Sequence, residues 1–113
     1  MGKEKIAGLV VALNNATVAG RVVWSVTESD GIFQASFPNH SVRIYLVSND
    51  SGFDDDYVLE IVNEFGEVVE SVRDPELRGA VDEPYLFMRE LYEMARRGAM
   101  GVDQAIDDIM RYL

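Results

Sequence analysis

Val42-Arg43-Ile44-Tyr45-Leu46-Val47 and, beyond a turn, Tyr57-Val58-Leu59-Glu60-Ile61-Val62 are the stretches whose reading decides the fold. Both are rich in β-branched and aromatic residues, and both alternate with a period of two. In the first, Val42, Ile44 and Leu46 share one face, and Ser41, Arg43, Tyr45 and Val47 share the other. The second sorts Tyr57, Leu59 and Ile61 from Val58, Glu60 and Val62. Working outward, Val22 to Thr27, Ile32 to Phe37 and Val68 to Val72 form three more short apolar runs. The five are separated by turn residues at Ser29-Asp30-Gly31, Pro38-Asn39, Asn49 to Gly52 and Asn63 to Gly66. Parallel neighbours need a crossover of a dozen or more residues, so these connections predict a five-stranded antiparallel meander.

Helices are predicted on both sides of the strands. Ile6, Leu9, Val10, Leu13 and Thr17 recur on one helical face, which predicts a helix from about Lys3 to Ala19 with Gly20 as its left-handed cap. Asp74-Pro75 and Glu83-Pro84 bracket a polar connection, and Pro84 suits the first turn of a second helix running to about Arg97. Its inward stripe is Phe87, Leu91, Met94 and Ala95, with Arg89-Glu93 and Glu93-Arg97 as outer ion pairs and Gly98 as its end. Gly101 opens a third helix in which Val102, Ala105, Ile106, Ile109, Met110 and Leu113 line one face. The expected architecture is α+β: an N-terminal helix, a five-stranded antiparallel meander sheet with helices covering one face, and a C-terminal antiparallel helical hairpin.

Composition narrows the function classes. A chain of 113 residues is one domain, residues 1–113, large enough to bury roughly two thirds of its unfolded surface. The absence of cysteine excludes disulfides and thiolate zinc sites and fits a reducing cytoplasm. Ile6 to Leu13 is the longest apolar run, far below the ~20 residues of a membrane span, and no small-residue cleavage site follows a strongly basic start. A formal net charge of −10, with the acids concentrated in the strand region, would repel phosphate, so nucleic acid is not an expected partner. The same charge keeps a fairly apolar domain in solution.

Chemistry-bearing patterns are few. His40, the single histidine, stands in a turn with no carboxylate within five residues, as an ordinary turn residue would. Neither a Gly-x-Ser-x-Gly elbow nor a Ser-x-x-Lys pair occurs, and Gly79, Gly98 and Gly101 make no phosphate-binding loop. Asp54-Asp55-Asp56, following Asn49-Asp50-Ser51-Gly52, is the densest set of oxygen ligands. It lacks the EF-hand spacing and reads first as a solvated hairpin loop whose charges deter edge pairing. No catalytic residue, metal ligand or cofactor is assigned. Arg96-Arg97 reads as a helix end complementing the dipole. Trp24 reads as core, or as an interface anchor if it shares an uncovered face with Tyr45.

Two segments carry a family resemblance: Ala16-Thr17-Val18-Ala19-Gly20-Arg21-Val22-Val23-Trp24 and Leu91-Tyr92-Glu93-Met94-Ala95-Arg96. They resemble small bacterial single-domain proteins with an Ala-Thr-x-x-Gly-x-x-x-Trp lead into a strand meander and a late Leu-Tyr-x-x-Ala-Arg helix. The group has no established activity, so the resemblance brings no catalytic residue. It implies a bacterial cytoplasmic domain with an interaction or accessory role.

With 48% hydrophobic residues and so little catalytic inventory, the leading expectation is a non-enzymatic module that binds a protein partner or itself as a homodimer. The expected surface is the half-apolar outer sheet face, with Arg43, Tyr45, Val47, Val58 and Val62 as candidate contacts. The alternative is a small-ligand or divalent-cation-binding domain using the acidic loop 49–56.

Overall fold

A computed structural model describes residues 3–48 and 55–113. Helix α1 (Lys3–Val18) precedes strands β1 (Trp24–Val26), β2 (Phe33–Phe37), β3 (His40–Val47), β4 (Asp56–Asn63) and β5 (Val68–Arg73). A 3₁₀ turn (Asp74–Leu77) then leads to α2 (Pro84–Met100) and α3 (Val102–Met110). The strands pair antiparallel in chain order, so the α+β arrangement and the meander are as the alternation predicts. β1 is shorter than the run Val22 to Thr27 that marks it.

Register follows from turn chemistry and face. Pro38-Asn39 makes the tight β2–β3 turn, with Asn39 in the left-handed region at φ 69°, and the turn fixes Phe37 opposite His40. The inner face then carries Trp24, Phe33, Ala35, Val42, Ile44, Tyr57, Leu59 and Val72, all buried. α1 lays Ile6, Ala7, Val10 and Leu13 into this core, and α2 adds Met88, Leu91 and Ala95. α1 ends in a Schellman motif: Gly20 at φ 75° donates its N–H to the Thr17 carbonyl, and Arg21 donates to that of Ala16. Trp24 is core. It is 5% exposed, and its Nε1 donates to Thr17 Oγ1 at 3.2 Å.

The stretch from Asp74 to Glu83, read from sequence as a polar connection, places Leu77 and Val81 in the core. It turns there because Asp74 is buried and its Oδ1 accepts the Tyr57 N–H at 2.8 Å, tying the end of β5 to the start of β4. Tyr57 also begins an aromatic cluster with Tyr85 and Tyr92, at centroid distances of 5.3 and 5.4 Å.

Two expectations about α2 need correction. The helix runs through Gly98 to Met100 and is capped by Gly101, which adopts φ 63°. Gly98 lies inside the helix against Trp24 of β1, where a Cβ would stand at an ordinary contact distance of 3.9 Å from the Trp24 Cβ, so the helix continues despite the poor helix propensity of glycine. The outer ion pairs also differ from Arg89-Glu93 and Glu93-Arg97. Glu93 pairs with Arg96 at 3.1 Å, and Arg97 reaches Asp103 of α3 at 2.7 Å.

Moving the end of α2 to Met100 leaves one residue between the C-terminal helices, against the two to five that an αα-hairpin loop uses. α3 follows α2, but its stripe does not enter the core, and none of its residues is buried. The radius of gyration, 15.0 Å, exceeds the ~13 Å of a compact domain of this length, and the long dimension is 53 Å.

Burial raises the Asp74 carboxyl above its ordinary value, outweighing the stabilising N–H of Tyr57. The unfolded chain therefore releases this proton first, and Asp74 makes stability fall as pH rises from its unfolded value through the raised folded one. Asp74→Asn keeps an acceptor oxygen and is expected to flatten that dependence in denaturant titrations across acidic pH. Asp74→Ala leaves the Tyr57 N–H without its partner and is expected to cost about 1–3 kcal/mol at neutral pH.

Candidate functional site

The outer sheet face, expected to be half apolar, is organised by polar groups. Arg43 Nε donates to Gln34 Oε1 at 2.8 Å, and Gln34 Nε2 donates to Ser36 and Ser41 at 3.2 and 3.4 Å. The Tyr45 hydroxyl donates to Glu60 at 2.8 Å, and Arg73 pairs with Asp56 at 3.3 Å. Of the candidate contacts, Arg43, Tyr45 and Val47 are half-buried on β3, while Val58 and Val62 on β4 are buried at 4% and 3%. Val58 lies in register between Tyr45 and Arg73, and Val62 between Ser41 and Val68, so both valines sit between side chains of neighbouring strands. These two therefore offer no free apolar area, although alternation correctly puts them on the outer side.

The acidic loop 49–56 falls largely outside the described residues, which include only its last two. Asp55 is half-buried and Asp56 opens β4. Among the described residues no group of three or more His, Cys, Asp and Glu side chains is placed to hold a metal. His40 is exposed at the start of β3. No helix of the described residues is long and apolar enough to cross a membrane.

Exposed apolar side chains occur at several places, Phe65, Val68 and Val69 around the β4–β5 turn among them, and are most concentrated on the C-terminal helix. Ile106, Ile109 and Met110 of α3 are 46%, 60% and 64% exposed, and Met100, Tyr112 and Leu113 are exposed as well. The opposite side of α3 is polar: Gln104 donates to Asp108, Arg111 pairs with Asp108, and Asp103 holds Arg97. The helix is thus strongly two-sided, with its apolar side facing water. The periodicity that predicts α3 also identifies this stripe. What hides its exposure from the sequence is the position of the α2 boundary.

Beside the base of α3 lies an open groove of about 490 Å³. Val18 at the end of α1, Val22 and Trp24 next to it, and Met94 on α2 form its apolar lining, and Arg97 and Val102 close the α3 side. Arg21 lies exposed between Val18 and Val22 in the chain and makes no ion pair among the described residues. The groove is apolar inside, and Arg97 at its α3 side is held by Asp103, which also lines it. Two smaller depressions lie elsewhere, one of about 290 Å³ around Phe33, Tyr92 and Arg96 and one of about 420 Å³ around Ile6, Leu9 and Ile61. In the first, Arg96 is already paired with Glu93 and the Tyr92 hydroxyl donates to the Gly31 carbonyl.

No protein-family model matches the chain, and no curated protein or solved structure matches it either.

Burial and donation to Glu60 push the Tyr45 hydroxyl up to about 12. A tyrosine that holds its proton more tightly when folded contributes stability in full below its unfolded value near 10, and that contribution is lost as pH rises towards 12. Tyr45→Phe is expected to remove one tyrosinate transition from the high end of an ultraviolet titration. Because the site is half open to water, the cost at neutral pH should be no more than about 1 kcal/mol.

Proposed function

We propose that this protein is a non-enzymatic interaction module that engages a protein surface through the apolar side of α3. The carrying observation is that a helix with Ile106, Ile109 and Met110 along one side buries none of its residues in its own chain. Apolar side chains of this size each contribute about 1.5–3 kcal/mol when fully buried, so a partner covering the stripe has a substantial driving force available. Contiguous exposed apolar area on a domain this small is the usual mark of an interaction site.

Chemistry offers no competing focus among the described residues. His40 is isolated in a turn, and the polar groups of the outer sheet face satisfy one another. A cytoplasmic setting accords with the lack of cysteine, and the surplus of acids disfavours nucleic acid as the partner.

The double variant Ile106→Ser, Ile109→Ser separates a docking role from a folding role, since serine and isoleucine have similar helix propensities. Exposed positions usually change stability by no more than about 0.5 kcal/mol each, so unfolding by denaturant should be nearly unchanged. Stoichiometric capture of protein on an affinity column, the chain itself included, should be lost. A loss of several kcal/mol in stability, or equal capture by both forms, would overturn the reading.

A further inference from the structure

We infer that Lys3, Glu70 and Glu76 together guard the β5 edge of the sheet, keeping a strand of a second copy from adding there. The guard is independent of what α3 binds.

The strand order leaves two edges, β1 and β5. An edge strand presents a row of backbone N–H and C=O groups to any chain able to pair with them, and long, flat, apolar edges are the hazardous ones. β1 is three residues long, and α2 packs beside it. β5 is six residues long, exposed at every position but Val72, and it opens on Val68-Val69. Its side chains alone would make it a template for strand addition.

Both ends of β5 answer that hazard. At the apolar end the register shifts: Ile61 faces Glu70 and Val62 faces Val68, so Val69 is the extra residue of a β-bulge. A bulge bends the strand out of a flat row. At the other end the backbone itself is occupied. Alternate residues of an edge strand turn their N–H and C=O away from the neighbouring strand. Ser71 and Arg73 are two such residues. The Ser71 N–H donates to Glu70 Oε1 at 3.0 Å, and the Arg73 N–H donates to Glu76 Oε1 at 2.8 Å. The Ser71 carbonyl accepts from Lys3 Nζ at 3.1 Å.

Lys3 stands at the start of α1, yet its ammonium also lies 3.4 Å from Glu76 and 3.8 Å from Glu70. One cation from the far end of the chain thus fills the acceptor and holds both carboxylates that fill the donors. An incoming strand must break these bonds before making its own, and exchanging one hydrogen bond for another leaves little net gain. Tethering α1 and capping the 3₁₀ turn would show in stability alone, whereas a guard shows in association.

The test uses the full chain carrying Ile106→Ser and Ile109→Ser, so that association through α3 does not enter. Adding Lys3→Thr and Glu70→Thr opens the Ser71 N–H and carbonyl, keeps the net charge and leaves Glu76 in place. Adding Arg21→Thr and Glu28→Thr instead removes the same charges at exposed positions outside the helices and strands, as a control. Sedimentation velocity across micromolar concentrations is combined with amide exchange at Ser71 and Arg73 by NMR. The unguarded protein should associate at concentrations at least tenfold below any at which the parent or the control does. Its Ser71 amide should exchange faster than the parent's when dilute and slow down as concentration rises. Lys3→Arg with Glu70→Gln retains a donor and an acceptor and should behave as the parent. An unguarded protein that melts cooperatively by circular dichroism but stays monomeric would overturn the guard. So would association that leaves the Ser71 amide unprotected, or a control that associates equally. If the double substitution prevents folding, Lys3→Thr alone, which opens the carbonyl, carries the same comparison.

Discussion

A nine-residue helix with no buried side chain has little to hold it folded. Nucleating the first turn is unfavourable, and isolated helices shorter than about 12–15 residues are marginal in water, so most short helices in proteins depend on packing an apolar side. α3 has such a side, but none of its residues is buried against the core. Capping contributes little, since Gly101 has no side chain to accept from the first turn. Local support is confined to polar contacts such as Gln104 with Asp108 and Arg97 with Asp103, and exposed pairs of this kind contribute at most about 1 kcal/mol. The apolar stripe of α3 is thus left uncovered by the described residues of its own chain.

The rest of the molecule is closed by comparison. The inner sheet face is sealed by α1 and α2, and the bond from the Tyr57 N–H to Asp74 fixes how the chain leaves β5 so that Leu77 and Val81 complete the core. The outer face is finished by side chains from adjacent strands, with a hydrogen-bonded polar group beside each buried valine. A sheet surface of this kind is already matched to water. Val68 on β5 and Phe65 in the β4–β5 turn stay exposed, but each adjoins strands that bury other residues, whereas α3 buries none.

Much of this fold is legible in the sequence because one strand face is buried, and a period of two then admits a single register. Val42, Ile44, Tyr57 and Leu59 declare that face directly, and the Pro38-Asn39 and Asn63 to Gly66 turns set the strand order. Leu77 and Val81 are not legible as core, because a short irregular segment has no period and its burial depends on the distant Tyr57–Asp74 bond. Gly98 misleads for a related reason: its local preference says stop, while the packing of α2 against β1 carries the helix on to Met100. The candidate site suffers most from that one boundary. Ending α2 near Arg97 conceals how short its link to α3 is, and the alternation that puts Val58 and Val62 on the outer face cannot show that neighbouring strands cover them.

The most direct measurement is solvent paramagnetic relaxation of assigned side-chain methyl groups in dilute, monomeric protein. Methyls of Ile106, Ile109 and Met110 should relax as strongly as fully accessible groups, with those of Ile44 and Leu59 nearly unaffected. Protection of the three α3 residues equal to that of Ile44 would show that the chain already covers its own stripe and would contradict the central claim.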